Sequence, residues 1–241
     1  MNRLLFAIAL CLPFSPAWAE GDDFGIWSEV NVEKKLSDSW ELDGGIEFRS
    51  RDKVKEVDRW SAGVGISYKI TDWLKASAGY TLLDDHRHKE HSGTATYADF
   101  YGLRHRFSVS LTGSYDLTSR LDISLRERWQ YTYRPSTTQT RYFISDDSEY
   151  DERTYKGKGK NVWRNRLQLR YKITKRWRPY INAETNVSNG LEKIRYGVGT
   201  EIRLKRHHWL DAKYMFQRVY GQDDDDEPNR HILSIGYTYK F

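Results

Sequence analysis

Arginine recurs at alternate positions along several segments of the chain, as at Arg126 and Arg128. A guanidinium group is permanently charged and can hold a carboxylate or phosphate through two parallel hydrogen bonds. Rows of such groups along a narrow passage would concentrate negative solutes there. The pattern therefore predicts an anion-binding surface, to which we assign these arginines: Arg49, Arg59, Arg104, Arg106, Arg126, Arg128, Arg164, Arg166, Arg170, Arg195 and Arg203.

Acidic residues at the same alternating positions are fewer, so the surface that carries both sets is net basic. They are Glu29, Glu41, Asp43, Glu47, Asp122, Glu184, Glu201 and Asp211. Two interpretations stay open. The surface lines an anion-preferring passage, or it fills the interior of a small barrel, where arginines and carboxylates pair with one another.

A second group of reactive side chains lies in one long polar stretch, which contains Asp84, Asp85, His86, His88 and His91. Imidazole and carboxylate groups can hold a transition metal, and an Asp–His pair can activate water. A solvated loop is favoured over both, because no second Asp-x-His pair accompanies the first. We therefore predict no catalytic residue and no cofactor, and a metal would use His86, His88 and His91.

Apolar and polar residues alternate with a period of two almost everywhere after residue 23, which is typical of β-strands with one apolar face. Eleven such segments can be read, each close to the length of a tilted membrane strand. They are 24–32, 40–49, 60–68, 74–82, 105–117, 121–133, 163–173, 181–187, 194–204, 210–220 and 231–241. The chain is therefore predicted to be all-β, a transmembrane antiparallel up-and-down β-barrel.

The connections alternate between five short turns and five longer polar stretches, at 51–57, 84–102, 135–159, 188–192 and 221–229. Short periplasmic turns and longer extracellular loops are expected of outer-membrane barrels. If all the short turns lie on one side, the first and last strands run in the same direction and close the barrel in parallel. Bacterial barrels have even strand numbers, so we expect 10 or 12 strands although about eleven are read.

The first residues predict export. A positive start at Arg3, an apolar run, and the small-large-small sequence Ala17-Trp18-Ala19 are typical of a cleaved signal peptide, so we assign 1–19 to the leader and 20–241 to the barrel. The one cysteine, Cys11, falls in that leader. The mean hydropathy of −0.81 is low for a membrane protein, but a wall with one apolar and one polar face reconciles that value with an aromatic content of 15%.

The expected partners follow from a location in the cell outer membrane: its lipid and lipopolysaccharide, and a possible anionic small solute. The alternating aromatic end, Tyr237, Tyr239 and Phe241, resembles the signal read by the barrel assembly machinery. Nucleic acid is not expected despite a pI near 9.1, because the basic residues are interleaved at strand period behind a lipid-facing wall and form no exposed stripe.

Several motifs resemble one known family. They are Asp23–Trp27, Phe48–Asp52, Asp58–Trp60, Asn229–His231 and Gly236–Phe241. Together they are similar to the barrel family called domain of unknown function 2490, which implies an outer-membrane barrel with no assigned activity or functional residues. The chain also resembles, in general style, the small oligogalacturonate-specific porins, which have a signal peptide, an arginine-rich lumen and a C-terminal phenylalanine.

The function predicted from these features is passive: a small outer-membrane porin or channel with a basic, anion-preferring lumen. The first alternative is a nonconducting structural or ligand-binding barrel that acts through the extracellular stretches 84–102 and 135–159. The second is an outer-membrane hydrolase with Asp84, Asp85 and His86 at its outer rim.

Overall fold

A computed structural model describes residues 21–220 and 228–241, and thirteen β-strands make up most of those residues. One 3-10 turn, Ser92–Thr94, is the only helical element within those ranges. The strands are β1 (Asp23–Lys35), β2 (Trp40–Arg51), β3 (Glu56–Lys69), β4 (Leu74–His91), β5 (Thr96–Asp116), β6 (Leu121–Arg134), β7 (Thr137–Phe143), β8 (Glu149–Tyr155), β9 (Lys158–Tyr171), β10 (Trp177–Val187), β11 (Leu191–Arg203), β12 (His208–Val219) and β13 (Arg230–Lys240).

Eleven of these strands form a closed wall, in the order β1-β2-β3-β4-β5-β6-β9-β10-β11-β12-β13. Each neighbouring pair is antiparallel except the closing one, where β1 runs parallel to β13 from Asp23↔Arg230 to Glu33↔Lys240. The predicted all-β barrel is confirmed, and the eleven segments read from the sequence correspond to the eleven wall strands.

The even strand number, 10 or 12, is not what the structure has. An even count is required only if every neighbouring pair is antiparallel, and here the two ends of the chain both run towards the short turns. Their edges therefore pair in parallel, with the slanted hydrogen bonds of that geometry. A polar cluster fastens the far end of this seam, where the buried Arg230 lies 2.8 Å from Asp23 and 3.4 Å from Asp58.

The wall is pleated so that apolar side chains face outwards. On β3, Val64 is 65% exposed while its neighbours in sequence are glycines, and on β5 Val109 and Leu111 are exposed on either side of the buried Ser110. Exposed apolar residues recur on every second position around the barrel because successive side chains of a strand point to opposite faces. Lipid is the solvent that such a surface requires.

The short turns share a hydroxyl group that closes them. In four of the five turns, the side-chain oxygen of Ser37, Thr71, Thr118 or Thr174 accepts a hydrogen bond from the backbone N–H three residues later, at 3.0–3.1 Å. Such side chains satisfy backbone donors that a tight turn leaves unpaired. In the fifth turn the N–H of Leu204 lies 2.9 Å from the carbonyl oxygen of His208, a backbone bond that also closes the first, second and fourth turns.

At the opposite end of the barrel, two stretches predicted as loops are hairpins. β4 and β5 pair continuously up to His91↔Thr96, well beyond their pairing with the neighbouring strands. The stretch 135–159 contains β7 and β8, which pair with each other and join the sheet through Thr96↔Phe143. The sequence signal was missed because strands outside a bilayer have no lipid-facing apolar face, so their alternation is weak.

Two predictions concern residues outside the described ranges: that 1–19 is a signal peptide, and that 221–229, most of which is not described, is a polar loop. Within the described ranges, no helix is long and apolar enough to cross a membrane.

Candidate functional site

The densest set of predicted arginines lies on three adjacent strands, β5, β6 and β9. We call this surface the basic wall: Arg106, Arg126, Arg128, Arg164 and Arg166. On β6 and β9 the arginines are direct cross-strand partners, since Arg126 faces Arg166 and Arg128 faces Arg164. All five alternate with exposed apolar residues such as Leu125 and Leu167, so they point to the interior. Like charges placed directly opposite repel each other.

One buried carboxylate, Glu184 on β10, offsets part of this repulsion. Its Oε2 accepts a hydrogen bond from Arg126 at 3.0 Å, and its Oε1 accepts from Arg195 at 3.2 Å and from Arg164. Glu184 is 4% exposed. Three guanidinium groups from three strands therefore share a single negative charge.

The other three arginines of the basic wall have no such partner. Among the described residues, no carboxylate oxygen lies within 4.0 Å of Arg106, Arg128 or Arg166. Arg106 donates to the hydroxyl of Thr132 at 3.2 Å. This partner is neutral, so the charge of Arg106 stays uncompensated. These three groups are the ones that an anionic solute could bind.

The remaining predicted arginines are distributed around the interior and are mostly paired. Arg59 and Arg104 both contact the buried carboxylate of Asp85. Arg170 lies 3.0 Å from Glu201, and Arg203 donates to a backbone carbonyl at 3.1 Å. The structure therefore groups only part of the predicted set, and these four are held by local contacts.

A layer of stacked side chains crosses the interior beside the basic wall. The guanidinium carbon of Arg49 lies 3.6 Å from the ring centroid of Trp27, and that of Arg195 lies 5.4 Å from the same ring. Arg49 also pairs with Glu47 at 2.8 Å. Because Trp27 is on β1 and Arg195 is on β11, with two strands between them, the ring reaches across part of the lumen.

Carboxylates line the opposite side of the interior, and the sequence analysis assigned them no site. We call this surface the acidic wall: Glu29, Asp43 and Asp211. Glu29 lies against Gly236 and Asp43 against Gly65, each its direct cross-strand partner, where an added Cβ would come within 2.7 Å of the carboxylate oxygens. The sequence signal that could have identified these carboxylates is an inward-facing glycine on the neighbouring strand, directly opposite an acidic residue.

A cavity of about 290 Å³ lies at the short-turn end of the barrel. Residues of the first two short turns and of the adjoining ends of β2 to β5 line it. In those turns the side chains of Lys35 and Asp38 pair at 2.7 Å, and those of Lys69 and Asp72 pair at 2.6 Å. Charged groups of both signs therefore line this cavity.

The predicted metal residues do not converge. His86 and His88 lie on the outer face of β4 and share the carboxylate of Asp99, whereas His91 lies on the other face and contacts the Tyr155 hydroxyl at 3.0 Å. Within the part of the chain that the structure describes, no group of three His, Cys, Asp or Glu residues could hold a metal ion.

The predicted hydrolase residues Asp84, Asp85 and His86 do not all lie on one face. Asp85 points inwards to its two arginines, whereas His86 points outwards, with its Nδ1 3.0 Å from Arg51. Successive residues of a strand face opposite sides of the sheet, so Asp84 shares the outer face with His86 and Asp85 is separated from both.

The family model described as "Protein of unknown function (DUF2490)" matches residues 24–228. No curated protein matches the sequence. Among solved structures, the translocator domain of the autotransporter NalP from Neisseria meningitidis matches with a TM-score of 0.53 and 12% identity, covering 83% of this chain and 73% of that one.

Two further structures match over similar lengths. The β domain of the Bordetella autotransporter BrkA has a TM-score of 0.51 at 12% identity, covering 84% of this chain and 82% of that one. The NanC porin has a TM-score of 0.50 at 14% identity, covering 92% and 100%. At these identities the likeness shows the fold alone, which is that of outer-membrane β-barrels.

Proposed function

Because the chain belongs to the DUF2490 family and has the fold of outer-membrane β-barrels, we propose that it is a small outer-membrane porin whose basic lumen favours anions. The observation that carries the proposal is the basic wall, where three inward arginines have no carboxylate partner among the described residues. Fixed positive charge in a narrow aqueous passage raises the local concentration of anions and lowers that of cations.

The proposal extends to how the protein reaches the membrane. Residues 1–19 act as a cleaved leader, and Phe241 presents the alternating aromatic end to the barrel assembly machinery. Lipopolysaccharide surrounds the rim that carries the long hairpins, and the short turns face the periplasm. These assignments are supported by the sequence pattern of the leader and by the difference in length between the two sets of connections.

The test is the ion selectivity of single channels. The refolded protein in a planar bilayer, under a gradient of KCl, is expected to give a reversal potential of the sign that an anion-selective pore gives. Arg106→Gln, Arg128→Gln and Arg166→Gln are each expected to lower the chloride-to-potassium permeability ratio by about twofold or more, since each removes one uncompensated charge.

The matched control is Arg153→Gln on the exposed strand β8, which removes the same charge outside the barrel and should leave the ratio unchanged. Heat-modifiable migration on a gel verifies that each variant is folded. Cation selectivity in the parent protein, or no conductance over many insertions, would show that this function is wrong.

A second candidate function, a nonconducting barrel that binds a ligand outside the cell, is favoured by one observation. The hairpins β4–β5 and β7–β8 form an ordered sheet beyond the wall, joined by pairing between Thr96 and Phe143. An absence of conductance, together with ligand binding that is lost when 137–155 is deleted, would favour this candidate over a porin.

A further inference from the structure

The lumen carries its uncompensated charges on two opposing sides, and we propose that this arrangement selects dipolar solutes, namely acids that also carry a cationic amino group. The inference rests on the proposed function and names the class of solute for the same lumen. The positive side is the basic wall, whose Arg106, Arg128 and Arg166 lie on the consecutive wall strands β5, β6 and β9.

The negative side is the acidic wall. Glu29, Asp43 and Asp211 lie on β1, β2 and β12, which are consecutive around the barrel apart from β13 between them. Among the described residues none of the three has a cation within 4.0 Å, and Asp211 accepts a hydrogen bond from the Tyr180 hydroxyl at 2.8 Å. Glycines beneath Glu29 and Asp43 let these carboxylates lie flat against the wall.

The two walls face each other across the lumen. On one side β3 and β4 separate them, and on the other side β10 and β11 do. Asp43 and Arg128 are nevertheless close enough for their charges to act on each other. The strands between them rule out a contact along the wall, so this interaction runs across the interior.

Cations also act on the negative side. Arg49 on β2 is paired with Glu47, whereas Lys213 on β12 has its charge close to Asp211 and Glu29 and so offsets one of the three carboxylates of the acidic wall. A solute with a single negative charge is therefore attracted by one wall and repelled by the other. A solute with both charges can orient its carboxylate towards the basic wall and its ammonium towards the acidic wall.

Three six-carbon solutes of nearly equal size test this inference. Gluconate is an anion, glucamine is a cation, and glucosaminate carries both charges. In liposomes that contain the refolded protein, glucosaminate is expected to enter about fivefold faster than either of the others, the upper range for one additional solvent-exposed ion pair.

Variants of the acidic wall separate the two effects. Asp43→Asn and Glu29→Gln should each reduce the ratio of glucosaminate to gluconate entry towards one, without slowing gluconate. Glu152→Gln on β8 is the matched control and should leave the ratio unchanged. Two sites are tested so that a failure of one variant to fold does not remove the measurement.

The possible outcomes distinguish the dipolar inference from the porin function. Entry of gluconate as fast as glucosaminate, or an unchanged ratio in both folded variants, would overturn the dipolar inference while leaving an anion-preferring porin in place. No entry of any of the three solutes, with no conductance, would overturn the porin itself and this inference with it.

A second inference rests on an independent feature of the lipid-facing surface. Glu127 lies midway along β6, between the outward-facing Leu125 and Trp129, and so points towards lipid. Its direct partner on β9 is Asn165, which faces Thr185 on β10. An ionisable group at that depth is costly in a bilayer and marks a functional surface.

The polar groups of this patch have unused hydrogen-bonding capacity. Among the described residues, the side chain of Glu127 has neither a hydrogen bond nor an ion pair, and the buried Oδ1 of Asn165 has no donor. A carboxylate accepts hydrogen bonds and an amide both accepts and donates them. The pair Glu127 and Asn165 is therefore complementary to a second copy of itself.

We infer that two copies of the chain associate in the membrane through this patch. A two-fold axis along the membrane normal preserves depth, so the Asn165 amide of each copy can donate to Glu127 of the other. Polar side chains on lipid-facing surfaces hold membrane segments together in this way, because lipid offers them no alternative partner.

Cysteine cross-linking tests the association. The sole cysteine, Cys11, falls in the predicted leader, so Leu125→Cys adds a thiol beside the proposed axis. Ile46→Cys on β2 is the control at a lipid-facing position away from the patch. With a thiol-specific cross-linker in liposomes, Leu125→Cys is expected to give a dimer yield at least several-fold above that of the control.

Substitutions in the Leu125→Cys background then test the hydrogen bonds. Glu127→Leu or Asn165→Leu should reduce cross-linking to the level of the Ile46→Cys control, whereas Glu127→Gln should retain it because an amide still accepts. Equal yields at positions 125 and 46, or an undiminished yield with Glu127→Leu in folded protein, would overturn the dimer.

Discussion

Glu184 illustrates how single residues set the charge of this lumen. Its one carboxylate receives hydrogen bonds from Arg126, Arg164 and Arg195, while the arginine pairs behind it repel each other. A buried charge that loses its partner is strongly destabilising, because its desolvation is no longer offset. The clustered arginines thus raise the positive potential of the lumen and lower the stability of the protein. Glu184 limits both effects because it is their shared counterion.

Replacing this carboxylate should change stability and selectivity in opposite directions. Glu184→Gln is expected to lower the free energy of unfolding by about 3 kcal/mol, since three guanidinium groups lose one shared counterion. Under the proposed porin function, the same substitution should also increase selectivity for anions. Urea titration in lipid vesicles measures the first effect, and the reversal potential measures the second.

The control for this prediction is Glu152→Gln on the exposed strand β8, where a surface substitution should change stability by no more than about 0.5 kcal/mol. Wild-type stability in Glu184→Gln would mean that water or ions in the lumen already compensate the three arginines.

Among the elements, the hairpin β7–β8 is the one least tied to the wall. Its strands pair with each other, but only Thr96 and Tyr97 of β5 pair with β7. Arg141 provides a further connection: it binds Asp151 through two hydrogen bonds, at 2.5 and 2.6 Å, and its Nη1 lies 3.5 Å from Thr94. A side chain thus supplies order that the short backbone ladder does not.

Removing that connection should loosen the hairpin without affecting the barrel. Arg141→Gln and Asp151→Asn are each expected to speed proteinase K cleavage at the tip, residues 144–148, severalfold, while the wall stays protected. Gel analysis of timed digests of protein in liposomes measures this. Glu152→Gln is the control, and equal cleavage of all four proteins would show that the arginine does not order the hairpin.

The ion pair between Arg141 and Asp151 should depend on pH. The hydrogen bond from Arg141 lowers the pKa of Asp151 below its ordinary value. The pair therefore contributes fully to the order of the hairpin when the pH is above the ordinary pKa of an aspartate. That contribution is lost as the pH falls through the lowered pKa of Asp151. Protection against hydrogen exchange across 137–155, taken relative to the intrinsic exchange rate at each pH, should fall in the parent protein in acid towards the level of Asp151→Asn. In Asp151→Asn this protection should change little over the same range.

For the whole molecule, the dominant constraint is the solvent on each side of the wall. Large apolar side chains are exposed all around the outside, including Ile46, Val64, Val109 and Ile181. The closed hydrogen-bonded wall leaves no strand edge within the bilayer, which is what a spanning sheet requires. The parallel seam between β1 and β13 completes that closure with an odd number of strands.

A charge placed on the outer surface should reveal how deep each position lies. Val64→Arg, midway along β3, is expected to destabilise the protein by about 2–4 kcal/mol, whereas Leu36→Arg in the first short turn should cost about 0–1 kcal/mol. Reversible unfolding from vesicles gives both values. Similar costs at the two positions would mean that β3 does not cross the bilayer where the apolar belt indicates.

The sequence by itself determined the wall. A period of two can be read locally, so the eleven strands and the common direction of the first and last strands followed from residue order. The hairpins beyond the wall did not follow, because β4 near His86 and β8 near Asp151 have no lipid-facing apolar stripe to mark them.

Only the tertiary structure decided which charges meet. Glu184 and Arg126 are 58 positions apart, and Asp43 and Arg128 are further still, so their proximity depends on closure of the barrel. Side-chain alternation tells which face a residue occupies but not its position around the circumference or its depth. For that reason the sequence predicts which residues share a face, whereas their division into a basic and an acidic wall could not be predicted.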